Sequence, residues 1–166
     1  MNNHNNHSGK QIATLVLGVG NILLKDEGVG VRVIERMRSL KLPPGVRLMD
    51  GGTGGLDLLE LFGQAHRVIV VDAVRGGGEP GAIYRFHADD IDVKTARISS
   101  LHEVNLYEVL NIARGLGESP GEVVIIGIEP KEIELDLELT PEVASRVDRL
   151  VELVLEELDR GDSASK

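Results

Sequence analysis

Short apolar runs recur along this chain, separated by stretches in which apolar and polar residues alternate with a longer period. Four runs are the length of a strand, at 12–18, 46–49, 67–71 and 122–128. The run at 67–71, RVIVV, is continuous and rich in β-branched residues, which is typical of a strand buried on both faces. The alternating run AIYRFH at 82–87 predicts a further strand, antiparallel at the edge of the sheet.

Segments with helical periodicity follow most of these strands. We predict helices at about 27–40, 56–62 and 102–117, and a last helix that runs from Thr140 as N-cap through Pro141 at the first helical position. Strands that alternate with helices predict the α/β class: a single three-layer domain, with a twisted, mostly parallel sheet and helices on both faces.

Neither an internal repeat nor a linker divides the 166 residues. We expect one domain over residues 11–160, with tails at 1–10 and 161–166 that are polar and predicted to be disordered. The first tail has no apolar segment of the kind found in secretory signals, and no apolar run approaches the ~20 residues of a membrane span.

Charge and cysteine content narrow the classes of function. The net charge is −9, from 18 basic and 27 acidic side chains, which argues against a nucleic-acid partner. Cysteine is absent, so disulfides, thiolate metal ligands and a cysteine nucleophile are excluded. The lack of cysteine fits a reducing compartment, and we expect a cytoplasmic protein.

Polar residues follow the predicted strands at the point where each strand ends. They are Asn21, Asp26 and Glu27 after the first strand, Asp50, Gly51, Gly52 and Thr53 after the second, Asp72 at the end of the third, His102 before a helix, and Glu129 after the fifth strand. Ligands of open α/β sheets bind outside the carboxyl ends of the strands. We therefore expect one histidine and several carboxylates to converge at this edge.

The local sequence predicts the charge state of His102. Ser100 and Glu103 form a capping-box pattern, which places His102 in the first turn of a helix, where the helix dipole disfavours an imidazolium. Glu27 is predicted in the first turn of its own helix, with Asp26 as a possible N-cap. Glu27, Asp72 and His102 would suit a divalent ion such as zinc or nickel.

Ordinary structural roles for the same residues stay open at this point. Taken singly, Asp26 and Asp72 are typical cap or turn residues, and His102 is more often a polar first-turn residue than a ligand. The GVGNILLKDEGVG segment fails the dinucleotide-binding pattern G-x-G-x-x-G, because Leu23 stands at the third glycine. P-loop, H-E-x-x-H and G-x-S-x-G patterns are absent.

Five segments, in this order, resemble the hydrogenase maturation endopeptidases over about residues 12–158. They are LVLGVGNILLKDEGVGVRVIE, LMDGGTGGLDLLELF, VIVVDAV, SLHEVNL and IIGIEPKEIELDLELTP. The resemblance implies an α/β endopeptidase that removes a C-terminal peptide from the nickel-loaded large-subunit precursor of a nickel-iron hydrogenase. It also implies that Glu27, Asp72 and His102 contact the metal and carry the catalysis.

The resemblance further implies that the nickel is supplied by the substrate precursor and that the peptidase, aspartic-type or metal-dependent, has no permanent cofactor. Asp50, Gly51, Gly52 and Thr53 are then expected to line the substrate cleft, and the loop at 75–81 to influence substrate choice. Two alternatives remain: a non-catalytic assembly factor that senses nickel in the same precursor, and a nucleotide-binding α/β domain.

Overall fold

The computed structural model describes residues 9–52, 55, 57–90 and 103–164. The strands are β1 (Ile12–Val19), β2 (Val46–Gly52), β3 (Ala65–Ala73), β4 (Ile83–His87) and β5 (Glu122–Ile128). The helices are α1 (Val29–Met37), α2 (Asp57–Gln64), α3 (Glu103–Leu116), α4 (Pro141–Ala144) and α5 (Val147–Ala164). Two 3-10 turns lie at Lys25–Gly28 and Ala88–Asp90. Among the described residues, no helix is long and apolar enough to cross a membrane.

The strands form one sheet in the order β2-β1-β3-β5-β4. β1, β2, β3 and β5 are parallel, and β4 pairs antiparallel with β5 at one edge. Because successive side chains of a strand point to opposite faces, the sheet has two apolar faces. Both faces are covered by helices, which confirms the predicted three-layer α/β class.

The two faces bury separate aliphatic cores. On one face, α2 and α3 pack Phe62 and Leu110 against Leu15 and Leu17 of β1. On the other face, α1 and α5 pack residues such as Ile34 and Leu150 against the alternate positions of β1 and β3. With four of its strands parallel and covered on both faces, the sheet presents its carboxyl edge as the natural place for a site.

Three predicted elements are wrong in part. The helix predicted at 27–40 begins as a 3-10 turn and ends at Met37, and the last helix is interrupted after Ala144. β2 extends through Asp50, Gly51 and Gly52, which we predicted as loop, because Asp50 and Gly52 pair with the end of β1. α5 continues to Ala164, and the domain bounds 11–160 stay a prediction.

A buried ion cluster closes the opposite, amino-terminal edge of the sheet. Arg67 at the start of β3 binds Glu157 of α5, with 2.6 Å between Nη2 and Oε2, and it also binds Glu122 of β5. Arg85 of β4 binds the second oxygen of Glu157. Burial alone would raise the pKa of Glu157, but hydrogen bonds from Arg85 and Arg67 outweigh it and hold that pKa below its ordinary value.

Candidate active site

The chain crosses over at the middle of the sheet. From β1 it turns outwards to β2, and it then returns to the other side of β1 to form β3. The crevice between the carboxyl ends of β1 and β3 is therefore the topological switch point, where α/β sheets bind their ligands. Glu27 lies in the 3-10 turn after β1, and Asp72 lies near the end of β3. Both residues are buried.

Two glycines allow the Glu27 turn to lie directly on the strand ends. A Cβ at Gly30 would stand 2.2 Å from the carbonyl oxygen of Val71 and 2.5 Å from that of Val19. Gly20 has φ +135, and a Cβ there would stand 1.8 Å from the carbonyl oxygen of Glu27. The glycines of GVGNILLKDEGVG thus serve close backbone packing, which brings Glu27 to the end of β1 without any dinucleotide-binding turn.

Asp26 holds a distant loop against this turn. Its carboxylate is fully buried and accepts the backbone N–H groups of Lys131, Glu132 and Thr140 at 2.8, 3.1 and 2.8 Å. The hydroxyl of Thr140 donates to it as well, at 2.8 Å from Oδ2. We refer to residues 129–140 as the strap. Asp26 is therefore no N-cap, and the predicted capping role was wrong: the residue clamps the strap.

Lys25 reinforces the same connection between the turn and the strap. It has φ +46, an uncommon value for a residue with a side chain, and its Nζ lies 2.5 Å from carboxylate oxygens of both Glu132 and Glu134. The hydrogen bonds that Lys25 donates to Glu132 and Glu134 raise the pKa of Lys25 above its ordinary value. The lysine therefore stays charged, and two consecutive side chains of the strained turn, Lys25 and Asp26, are bound to the strap.

A small open cleft of about 210 Å³ lies beside the switch point, between the ends of β1 and β2. It is lined by Gly20, Asn21, Ile22, Val31, Asp50 and Gly52. Asp50 is exposed, and its Oδ1 accepts the backbone N–H of Gly52 at 2.8 Å. Three residues of the candidate set after the first two strands, Asn21, Asp50 and Gly52, are thus brought together at one cleft.

Glu129, which we expected to join the other carboxylates at the carboxyl edge, is bound to the loop at 75–81 and to β4. Its Oε2 accepts the backbone N–H of Gly76 at 2.7 Å and the hydroxyl of Tyr84 at 2.8 Å. Burial and the bond to Glu129 raise the pKa of Tyr84. Glu129 therefore anchors the loop at 75–81 to β4 and β5, and its carboxylate is engaged there.

Part of the predicted site lies outside the described residues. His102, Thr53 and Ser100 fall beyond the described residues. Within the described ranges, no three His, Asp or Glu side chains are grouped closely enough to hold a metal ion. The carboxylates of Glu27 and Asp72 belong to neighbouring strand ends, and their roles with His102 stay a prediction.

Comparison with known proteins identifies the family. Residues 31–157 match the hydrogenase maturation protease family. The chain belongs to the hydrogenase maturation proteases. It is 41% identical to the hydrogenase expression/formation protein HupD of Rhodobacter capsulatus, over 87% of this chain and 70% of the relative. It is 36% identical to the hydrogenase 2 maturation protease of Escherichia coli, over 85% of this chain and 87% of the relative.

Solved structures of maturation proteases show the same fold. The hydrogenase maturating endopeptidase HybD from E. coli aligns with a TM-score of 0.82 at 36% identity, covering 90% of this chain and 93% of that one. The maturation protease HybD from Thermococcus kodakarensis aligns with a TM-score of 0.74 at 28% identity, covering 89% and 99%. These matches confirm the predicted family and its peptidase activity.

Membership of this family does not account for the contacts by which Asp26 and Lys25 hold the strap, which we call the Asp26 clamp. The sequence predicts a cap at Asp26 and no role for Lys25, because both residues bind residues more than a hundred positions away in the sequence. The local signal in the sequence is the acidic pattern EIELDLEL, which follows β5. Pairing between such distant segments cannot be inferred from periodicity.

Proposed function

We propose that this maturation protease removes a C-terminal peptide from the large-subunit precursor of a nickel-iron hydrogenase once nickel has been inserted. One observation carries the proposal: in a chain of this family, two carboxylates, Glu27 and Asp72, come from neighbouring strand ends at the switch point of the sheet. A small open cleft lies beside them, between the ends of β1 and β2.

Nickel is part of the substrate in this proposal. Glu27, Asp72 and His102 would contact the nickel of the precursor, and carboxylate and imidazole groups are suitable ligands for that ion. Docking of the loaded nickel would place the scissile amide at the carboxyl edge of the sheet. There water would add to the carbonyl carbon, the C–N bond would break, and the leaving amine would take a proton. Cleavage would then depend on nickel insertion.

Within the proposal, the two carboxylates and His102 also have catalytic roles, and Asp50, Gly51, Gly52 and Thr53 line the substrate cleft. Asp50 and Gly52 support this role because they line the cleft beside β1. Backbone N–H groups of the glycines are suitable donors to an oxyanion. In this proposal the peptidase requires no metal of its own and works in the cytoplasm.

The intact mass of a nickel-loaded precursor, before and after incubation with the protease, tests the proposal. We expect loss of one C-terminal peptide, which does not occur when nickel is omitted. Glu27→Gln, Asp72→Asn and His102→Ala should each lower the rate at least a hundredfold, by loss of a group that acts in the transition state. Glu60→Gln, at an exposed position of α2, is the matched control and should cleave at the normal rate.

Two outcomes would overturn this assignment. A cognate precursor that binds but keeps its full mass would leave a nickel-sensing assembly factor in place of a peptidase. Cleavage that is equally fast without nickel would contradict the nickel requirement while leaving the peptidase activity intact.

A further inference from the structure

Three leucines lie exposed beside the candidate active site. The side chains of Leu135, Leu137 and Leu23 are 84%, 57% and 52% exposed. Leu135 and Leu137 belong to the strap, and Leu23 lies in the segment that leads into the Glu27 turn. We refer to these three side chains as the leucine patch. Exposed apolar side chains grouped at one place on a protein commonly mark a contact surface.

Backbone pairing brings the three leucines together. Leu24 forms a parallel bridge with Asp136: the N–H of Asp136 donates to the carbonyl of Leu23 at 3.0 Å, and the N–H of Lys25 donates to the carbonyl of Asp136 at 2.9 Å. Leu23 is thus bonded to the strap at the residue between Leu135 and Leu137, which makes the three exposed leucines neighbours.

The leucine patch is held in place before any partner arrives. The Asp26 clamp fixes both ends of the strap segment that carries Leu135 and Leu137, at Lys131 and at Thr140. Arg32 of α1 adds a further contact, since its Nη2 donates to the carbonyl of Leu137 at 2.9 Å. A partner that covers the patch consequently has little strap backbone to order, which favours binding.

The charges around the leucine patch indicate the chemistry of that partner. Asp136 and Glu138 alternate with the leucines and are exposed, and neither forms an ion pair within the described part of the chain. Glu134 is also acidic but is paired with Lys25. A complementary segment would present apolar side chains flanked by Lys or Arg.

We propose that the leucine patch docks an apolar, basic-flanked segment of the hydrogenase large-subunit precursor. The inference rests on the proposed function, because the precursor is the protein that must approach Glu27. The patch belongs to the same turn and strap that carry Glu27 and its clamp, so the docked segment lies next to the cleavage site. Docking there adds affinity and orientation without taking part in the reaction.

The double variant Leu135→Asp with Leu137→Asp tests the docking surface. We expect KM for the nickel-loaded precursor to rise about tenfold to a hundredfold while kcat stays within about twofold, because only binding is lost. Leu116→Asp is the matched control: Leu116 is 61% exposed at the end of α3 that leads to the opposite edge of the sheet. It should leave KM unchanged, and the urea midpoint of all variants should equal that of the wild type.

A second variant addresses the charge. Asp136→Asn with Glu138→Gln preserves the acceptor that Asp136 offers to the N–H of Glu138. It should raise KM about threefold at low salt and weaken the dependence of KM on salt concentration. An unchanged salt dependence would show that the flanking segment is not basic.

Binding measured separately from cleavage keeps this proposal distinct from the proposed function. The precursor is titrated calorimetrically into Glu27→Gln, with and without the two leucine substitutions. Weaker binding of the leucine variant supports docking even if the wild type cleaves nothing. Equal affinity and equal KM would overturn the docking proposal and leave the peptidase activity intact. A fall in kcat alone would also overturn it, because the leucines would then maintain the geometry of the active site and not bind the precursor.

Discussion

The Asp26 clamp leads to a quantitative expectation for Asp26→Asn. The asparagine has one oxygen and one NH₂ where the carboxylate has two acceptors. In one orientation the NH₂ faces the N–H of Thr140, and in the other it faces the N–H groups of Lys131 and Glu132. At least one buried backbone donor loses its acceptor either way, at a cost of about 1–3 kcal/mol.

Loss of the charge weakens the hydrogen bonds that remain, by about 1 kcal/mol in total, since bonds to charged acceptors are the stronger ones. We therefore expect the free energy of unfolding to fall by about 3 kcal/mol. For a domain of this size that corresponds to a Tm lower by about 6–12 °C. The substituted protein should still fold, because its two aliphatic cores are unchanged.

Urea unfolding followed by far-ultraviolet circular dichroism measures the loss, since the chain has no tryptophan to report by fluorescence. Hydrogen exchange at Lys131, Glu132 and Thr140 locates it, and these amides should lose protection in the variant. Asp159→Asn, at an exposed position of α5, is the control and should change stability by less than about 0.5 kcal/mol. If Asp26→Asn behaves like this control, the clamp does not hold the strap.

Two further substitutions test the two edges of the sheet. Gly30→Ala places a Cβ 2.2 Å from the Val71 carbonyl, so we expect more than about 3 kcal/mol of lost stability by urea unfolding; a stable variant would contradict the close packing. Glu157→Gln should cost about 3 kcal/mol at pH 7 by leaving Arg67 and Arg85 poorly compensated. The pKa of Glu157 is depressed in the folded state, so its stabilising contribution is present above the unfolded pKa and is lost as pH falls from about 5 towards 3. Only the wild type should show this loss. Parallel pH profiles of stability for the two proteins would refute the role given to Glu157.

The parts of the fold that were predictable are those with a local physical cause. β5 was predicted with its observed bounds, 122–128, because a strand covered on both faces must be a continuous apolar run. The predicted edge strand is present as β4, which pairs antiparallel with β5 at the edge of the sheet. Asp72 was placed correctly at the end of β3 because it follows such a run directly.

The errors arise where a distant segment decides the local structure. β2 extends to Gly52 because β1 offers pairing partners there, although glycines favour loops. Thr140 does precede a helix, but its hydroxyl binds Asp26 and makes no capping bond to that helix. Glu27 lies within a 3-10 turn and not in the first turn of an α-helix, and its neighbour Asp26 is directed at the strap. These contacts have no periodicity that a sequence could display.

The clamp between Asp26 and Thr140 also constrains when the protease becomes competent during its own synthesis. The two residues are 114 positions apart, so the Glu27 turn is translated long before its support exists. At about 5–20 residues per second, the ribosome needs roughly 6–23 s to reach Thr140. Until then the turn lacks the strap. The nascent chain already has β1 and β3, which border the switch point, but the active site is not complete. Proteolytic competence therefore arrives only with the last quarter of the polypeptide.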